Sequence, residues 1–156
     1  MALESGQAWV ASSTVGQIAL IDGSTEQKVS ALTVAKPGEQ ISVTQGGSDA
    51  LVVNRTTGTL LRVKGSTYDD APGPVKPLAG AGPGLSVFAG HGTGAFAVDA
   101  ARGAAVALDR STMATRARPV SLAAQLNSRA TVMDAEGRLW AVDTANGDLV
   151  LSLIHI

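Results

Sequence analysis

The chain repeats one pattern four times within its 156 residues. Each copy places a large apolar residue seven positions before a glycine, and the copies align without gaps as WVASSTVGQIALID from Trp9, LVVNRTTGTLLRVK from Leu51, FAVDAARGAAVALD from Phe96 and WAVDTANGDLVLSL from Trp140. The glycines recur at intervals of 42, 45 and 44 residues, at Gly16, Gly58, Gly103 and Gly147. A fixed period of this size is typical of architectures in which each copy is one supersecondary unit.

Each copy has the features of a β-hairpin. Two apolar runs flank a short polar loop, and one position of that loop always holds a short polar side chain: Ser12, Asn54, Asp99 or Asp143. Such side chains bond the following backbone and start tight turns. The glycine then supplies the positive φ that hairpin loops often need.

Two further strands complete the repeat. An apolar strand ending in a glycine turn precedes three hairpins, as ISVTQGG from Ile41, LSVFAGHG from Leu85 and ATVMDAEG from Ala130. A weaker polar stretch follows each hairpin, at 29–34, 74–78 and 118–122, and prolines in the last two suit an edge strand. Four antiparallel strands in about 44 residues are the unit of a β-propeller blade.

The sequence therefore predicts an all-β fold, an incomplete β-propeller of about 3.5 four-stranded blades spanning residues 1–151. The first blade would supply strands 2–4 and end near residue 38. The second would cover about 39–80, the third about 83–124, and a truncated fourth about 128–151. Trp9, Leu51, Phe96 and Trp140 should hold equivalent, buried places on successive second strands.

Two other interpretations compete with the propeller, one for a single segment and one for the whole fold. Helix-forming residues occupy 113–126, although Pro119 interrupts them. A β-sandwich also uses short strands and frequent turns, but it does not require the observed period.

Composition excludes several classes of function. The chain has no cysteine, which removes disulfides, thiolate nucleophiles and cysteine-based zinc sites. Its formal net charge is −1 without a run of like charge, so we expect no nucleic-acid partner. No apolar run is long enough to span a bilayer, so we expect no direct membrane insertion by this segment.

The candidate chemical motifs all have structural explanations. The glycine-rich stretch 80–94 lacks the G-x-G-x-x-G spacing, and Pro83 removes a backbone donor, so turns are predicted there. Neither His91 nor His155 has a second ligand at metal spacing. Aspartates fall at strand ends, where turns favour them: Asp22, Asp49, Asp99, Asp109, Asp134 and Asp143. We therefore predict no catalytic, cofactor-binding or metal-binding residue, and no cofactor.

Two weaker motifs remain. Asn54-Arg55-Thr56 matches the short N-glycosylation sequon. Trp9 and Trp140 are candidate binding aromatics, although their shared register with Leu51 and Phe96 favours packing between blades.

The segments GQAWVASSTVGQIALID, ISVTQGGSDALVVN and AEGRLWAVDTANGDLV resemble bacterial propeller repeats of the NHL, YVTN and gluconolactonase-like kinds. Across residues 6–151 the chain is most similar to the propeller region of large actinobacterial, membrane-anchored proteins with fibronectin type III domains. This resemblance implies an extracellular or cell-envelope location and an interaction role. The metal-binding carboxylates of the gluconolactonase-like enzymes have no clear counterparts here.

The repeat breaks at Ser152, and the tail SLIHI resembles a translated sequencing adapter, so residues 152–156 are predicted to be non-native. The leading functional hypothesis is a non-enzymatic interaction or scaffold module, binding a protein or a cell-surface carbohydrate through its blade-to-blade loops. The alternative is a fragment of a lactonase-like or lyase-like propeller enzyme.

Missing blades of the same parent chain are a further expected partner. The terminal blades should leave apolar residues in water, among them Val10, Ile18, Leu20, Leu139 and Val150. We therefore expect the isolated chain to dimerise or aggregate.

Overall fold

A computed structural model describes residues 6–70, 72–90 and 92–151, and in these ranges the chain forms four antiparallel sheets. The first sheet contains β1 (Gln7–Ser12), β2 (Gln17–Asp22) and β3 (Gln27–Thr33). The second contains β4 (Ile41–Gly46), β5 (Asp49–Asn54) and β6 (Thr59–Val63). The third contains β7 (Leu85–Ala89), β8 (Gly94–Asp99), β9 (Ala104–Asp109) and β10 (Val120–Ser121). The fourth contains β11 (Leu126–Met133), β12 (Leu139–Asp143) and β13 (Leu149–Leu151).

The strands of every sheet pair in chain order, so each sheet is a meander of hairpins. The first strands of the last three sheets, β4, β7 and β11, contact one another in succession, as inner strands around a propeller axis do. The predicted incomplete β-propeller is confirmed. Neither the two-layer sandwich nor a helix within 113–126 is present in the described residues.

The outer strands are shorter than the four-stranded repeat predicts. In the second sheet the fourth strand is reduced to a bridge between Leu60 and Val75, with two backbone hydrogen bonds of 2.8 and 2.9 Å. Pro74 and Pro77 flank that bridge and cannot donate to a ladder, which limits its length. In the third sheet, Pro119 immediately precedes the two-residue strand β10.

Three apolar clusters fill the spaces between successive sheets. Trp9 belongs to the cluster between the first and second sheets, Leu51 to the next, and Phe96 to the cluster between the third and fourth. These residues lie on β1, β5 and β8, which hold the same place in the sequence repeat, although β1 is the edge strand of its sheet and β5 and β8 each lie between two strands. Trp140 lies at the same place on β12 but is only half-buried, because no further sheet packs on it within the residues that the structure describes.

The prediction for the terminal faces is wrong for three residues. Ile18, Leu20 and Leu139 are buried, since they lie on the sides of the terminal sheets that face the second and third sheets. Side chains alternate across a strand, so an error of one position moves a residue to the opposite face. Val10 is exposed as predicted, and Val150 is half-buried.

Candidate functional site

One end of the stacked sheets forms a continuous surface, which we call the loop face. It consists of the segments that link successive sheets (34–40, 76–84 and 122–125) and the hairpin turns at 13–16, 55–58, 100–103 and 144–148. Each later turn bonds the segment entering its own sheet: Arg55 N–H donates to Gln40 at 2.8 Å, Ala100 to Gly84 at 3.0 Å, and Thr144 to Gln125 at 3.1 Å. Backbone hydrogen bonds therefore connect each of these turns to the segment that enters its sheet.

The hairpin glycines connect the turns to the segments that leave each sheet. Gly16, Gly58 and Gly103 have φ of +68°, +68° and +62°, and a Cβ on any of them would overlap the carbonyl oxygen of Ala35, Ala81 or Ala123 respectively. Gly147 also has a positive φ, of +78°, but has open space around it. Glycine is thus required at the first three turns for two reasons: the backbone has a positive φ, and a carbonyl oxygen occupies the place of a side chain.

The polar residues of the repeat form the predicted turns in three copies. The Oδ1 atoms of Asn54, Asp99 and Asp143 accept hydrogen bonds from the backbone two residues later, at 3.0, 3.2 and 2.8 Å. In the first copy, the neighbouring Ser13 hydroxyl instead accepts from Ile41 N–H at 3.0 Å.

Two grooves open between the sheets at this face. The larger, of about 480 Å³, lies between the first and second sheets and has Lys36, Glu39 and Asn54 among its lining residues. The smaller, of about 290 Å³, is lined by Gln40, Arg55, Thr56 and Pro83. Pockets that hold small ligands usually have volumes of roughly 300–1,000 Å³, so the larger groove has a suitable size.

Polar contacts fix the walls of both grooves. The Glu39 carboxylate accepts from the Asn54 amide at 2.7 Å and from Lys36 N–H at 3.1 Å. Arg55 Nε donates to the carbonyl of Leu85, where the third sheet begins, at 3.0 Å. The loop face thus presents charged side chains of both signs, held by hydrogen bonds to neighbouring groups.

The glycine-rich stretch and the glycosylation sequon do not form a functional site in the described residues. The glycine-rich stretch is divided by β7, so that 80–84 lies on the loop face and the turn after Ala89 lies at the opposite end. Asn54 of the sequon is 7% exposed and its amide donates to Glu39, so it is unsuited to glycosylation. His91 and His155 lie outside the described residues.

Aspartates at the opposite end hold turns and ion pairs. A hydrogen bond from the Ser24 hydroxyl, with others from the Ser24 and Thr25 backbone, lowers the pKa of Asp22. Hydrogen bonds from Arg116 and then Ser111 hold the pKa of Asp109 far below its usual range. The described part of the chain contains no group of three or more His, Asp or Glu side chains able to hold a metal ion.

The Asp134 carboxylate accepts hydrogen bonds from two side chains of the fourth sheet. It accepts from the Trp140 indole at 2.8 Å and from Arg138 Nε at 2.7 Å. Desolvation opposes its ionisation, but the hydrogen bonds from Trp140 and from the backbone and side chain of Arg138 outweigh that effect and lower its pKa to about 2. Because its carboxylate is engaged in this way, Asp134 serves to position the turn 134–138.

The tryptophans lie in different surroundings. The Trp9 indole donates to the carbonyl of Ser48 in the next sheet at 3.0 Å, and its ring meets Tyr68 edge to face. Trp140 bonds within its own sheet, and the Arg138 guanidinium lies 5.8 Å from its ring centre. Trp9 is therefore a packing residue, as its register favours.

Lys36, Glu39 and Arg55 are the groove residues that reasoning from motifs missed. They belong to no catalytic pattern. Their one sequence signal is their place in loops, since Lys36 and Glu39 lie between the first two repeats and Arg55 lies in the hairpin turn of the second. No helix in the described ranges has the length and apolar character needed to cross a membrane.

The sequence matches no protein-family model and no curated protein. Solved structures share the fold at low identity. BamB from Moraxella catarrhalis superimposes with a TM-score of 0.69 at 17% identity, covering 99% of this chain and 44% of that one. The WD40 domain of Toxoplasma gondii coronin gives 0.67 at 12% identity, covering 97% and 44%. A streptogramin B lyase gives 0.64 at 11% identity, covering 97% and 52%. The chain thus spans about half the length of these β-propellers.

Proposed function

We propose that the chain is a non-enzymatic interaction module of a larger extracellular or cell-envelope protein, and that its loop face binds a protein partner. The observation that carries this proposal is the loop face itself, a surface held by backbone hydrogen bonds and bearing two grooves with charged walls. Little ordering is needed when such a surface binds, which favours affinity.

The state of the carboxylates supports a role in binding. Asp99 and Asp143 accept hydrogen bonds that form turns, and Glu39 bonds Asn54 across the groove wall. A general acid or base needs a carboxyl group within reach of a substrate and with a pKa near the working pH. At the opposite end of the sheets, hydrogen bonds likewise engage Asp22, Asp109 and Asp134 and lower their pKa values, away from neutral pH.

Binding to an envelope-protein extract, compared between two charge-reversal variants, tests the proposal. Lys36→Glu changes the wall of the larger groove, whereas Lys28→Glu makes the same change on the exposed part of β3. We expect the immobilised native chain to retain a saturable protein component. Lys36→Glu should weaken its retention at least tenfold, and Lys28→Glu should leave it unchanged.

Two results would contradict the proposal. Retention of purified envelope polysaccharide instead of protein, sensitive to Lys36→Glu, would change the class of partner. Hydrolysis of a simple aliphatic lactone by the native chain, abolished by Lys36→Glu, would favour the alternative of a lactonase-like enzyme.

A further inference from the structure

The smaller groove of the loop face is lined by one charged side chain, Arg55, together with Gln40, Thr56 and Pro83. Arg55 Nε donates to the carbonyl of Leu85 at 3.0 Å. Its two terminal nitrogens form no hydrogen bond or ion pair with any residue in the described ranges. The remaining N–H groups of this positive charge are therefore left for a ligand.

Contacts of the backbone and of the side chain fix the position of the Arg55 guanidinium. Arg55 N–H donates to Gln40 O at 2.8 Å, and the Nε bond connects the other end of the residue to the start of β7. Arg55 is half-buried. The terminal N–H groups of a guanidinium form a planar fork that matches the two oxygens of a carboxylate. Because this fork is already positioned, little side-chain entropy is lost when a carboxylate binds.

The neighbours of Arg55 in this groove are neutral, and two of them can donate. Thr56 Oγ1 accepts from Gln40 N–H at 2.9 Å, which leaves the Thr56 hydroxyl proton free to donate. Gln40 is exposed, and its side-chain amide forms no hydrogen bond within the part of the chain that the structure describes. The groove thus combines one positive charge with neutral donors, and no carboxylate is among its lining residues.

Arginines towards the opposite end of the sheets are already paired with carboxylates. Arg62, Arg116 and Arg138 each contact an aspartate at 2.7 Å. Glu39 is close to the smaller groove in the sequence, but its carboxylate accepts hydrogen bonds in the wall of the larger groove. Arg55 is therefore a positive charge that the fold positions without supplying an anion for it.

A second cation without an ion pair lines the larger groove. Lys36 is exposed there and pairs with no carboxylate among residues 6–70, 72–90 and 92–151. Consecutive residues of one linking segment, Glu39 and Gln40, line the larger and the smaller groove respectively. The two grooves therefore lie on either side of these residues, and one bound segment can reach both.

We propose that the smaller groove binds a carboxylate side chain of the protein partner, which the terminal nitrogens of Arg55 hold through two hydrogen bonds. Lys36 attracts a second carboxylate of the same segment, so the partner contacts the loop face with an acidic stretch of its chain. This inference rests on the proposed function, since it names the chemistry of the partner that the loop face binds. Paired hydrogen bonds between charged groups fix orientation as well as adding affinity.

Titration with a blocked acidic peptide, followed by NMR of the isotope-labelled chain, tests the proposal. The probe has the sequence Gly-Glu-Gly-Glu-Gly, and the same peptide with glutamine in place of glutamate is its neutral control. The acidic probe should shift the resonances of the Arg55 Nε–H and the Gln40 side-chain amide in a saturable way, and the neutral probe should leave them unchanged. Equal shifts with both peptides would overturn the proposal.

Two substitutions separate the charge of Arg55 from its structural contact. Arg55→Gln removes the fork and should weaken binding of the acidic probe about tenfold, because hydrogen bonds between charged groups are lost. Gln40→Glu keeps the bond from Arg55 to Leu85 but places a carboxylate in the groove, so it should weaken binding to a similar extent. Arg118→Gln and Gln27→Glu are the matched controls, since they make the same changes at exposed positions outside the loop face, and they should leave binding unchanged.

Retention from the envelope-protein extract separates a failure of this inference from a failure of the proposed function. Arg55→Gln and Gln40→Glu, each shown to be folded by circular dichroism, should lose the retained protein as Lys36→Glu does. Retention that depends on Lys36 but is unchanged in both of these variants would keep the loop face as the binding surface and overturn the carboxylate site. Absence of any retained protein would overturn the proposed function, and this inference with it.

Discussion

Gly103 and Gly147 occupy the same turn position but differ in their surroundings. Gly103 combines a φ of +62° with a carbonyl in the space of its absent side chain, whereas Gly147 has a φ of +78° and no neighbour within 4 Å. We expect Gly103→Ala to lower the free energy of unfolding by roughly 2–5 kcal/mol, from backbone strain and overpacking together. Gly147→Ala should lower the free energy of unfolding by the backbone strain alone, about 1–2 kcal/mol.

Urea denaturation of both variants measures this difference. Equal losses at the two positions would mean that the approach of Ala123 to Gly103 does not contribute, and that backbone conformation alone selects glycine.

The carboxyl group of Asp134 should titrate well below an ordinary aspartate. Its pKa is lowered from 3.8 to about 2, so its contribution to stability is complete above about pH 4 and is lost as the pH falls towards 2. The carboxyl carbon resonance of Asp134, followed by NMR, should have a midpoint near this lowered pKa. Arg138→Gln should move that midpoint upwards, since it removes one donor and one positive charge.

The stability profile gives an independent check on the same carboxyl group. Between about pH 4 and pH 2 the urea midpoint of the native chain should fall more steeply than that of Asp134→Asn, which has no proton to take up. Parallel profiles would mean that Asp134 has a similar pKa in the folded and unfolded chains.

At the scale of the strands, the large apolar residue at the repeated position packs against the next sheet from β1, β5 and β8. Phe96 on β8 is buried against the fourth sheet, whereas Trp140 at the same place on β12 faces no other sheet among residues 6–70, 72–90 and 92–151. Phe96→Ala should therefore cost about 3–5 kcal/mol of unfolding free energy, as large core truncations do. Trp140→Ala should cost less than half as much in the monomer. Urea denaturation at a concentration where the chain is monomeric measures both, and equal costs would contradict the open fourth sheet.

The hairpins could be predicted from the sequence because their signals are local. A polar residue such as Asn54, followed by Gly58 at a fixed distance, forms the turn through its own side chain and backbone. The outer strands are predicted less accurately. Their length depends on whether the residues beside them have a backbone N–H that can donate a hydrogen bond to the next strand. The bridge at Val75 shows this, with prolines one residue before and two residues after it.

The faces of the terminal sheets and the grooves depend on tertiary geometry. Alternation places Val10 and Ile18 on opposite sides of the first sheet, but it does not say which side meets a neighbour. Similarly, Glu39 and Asn54 are 15 residues apart, and only the fold brings their side chains to 2.7 Å. The candidate site was therefore predicted as a region, the blade-to-blade loops, and not by residue.

At the scale of the whole molecule, four sheets follow one another around a propeller axis and do not close into a ring within the described residues. The three apolar clusters join each sheet to the next, from Trp9 in the first cluster to Phe96 in the last. This order leaves two unlike end faces on the chain, and it places all linking segments on one surface. The proposed binding to the loop face depends on this order.

Methyl and aromatic NOEs from isotope-labelled protein, at a concentration where it is monomeric, test that order most directly. The ring of Trp9 should show contacts with methyl groups of the second sheet, such as Val52, and the ring of Phe96 with those of the fourth, such as Leu139. Trp140 should show none to the first sheet. Intramolecular NOEs from Trp140 to Val10 would mean that the four sheets close on themselves, and they would contradict the account.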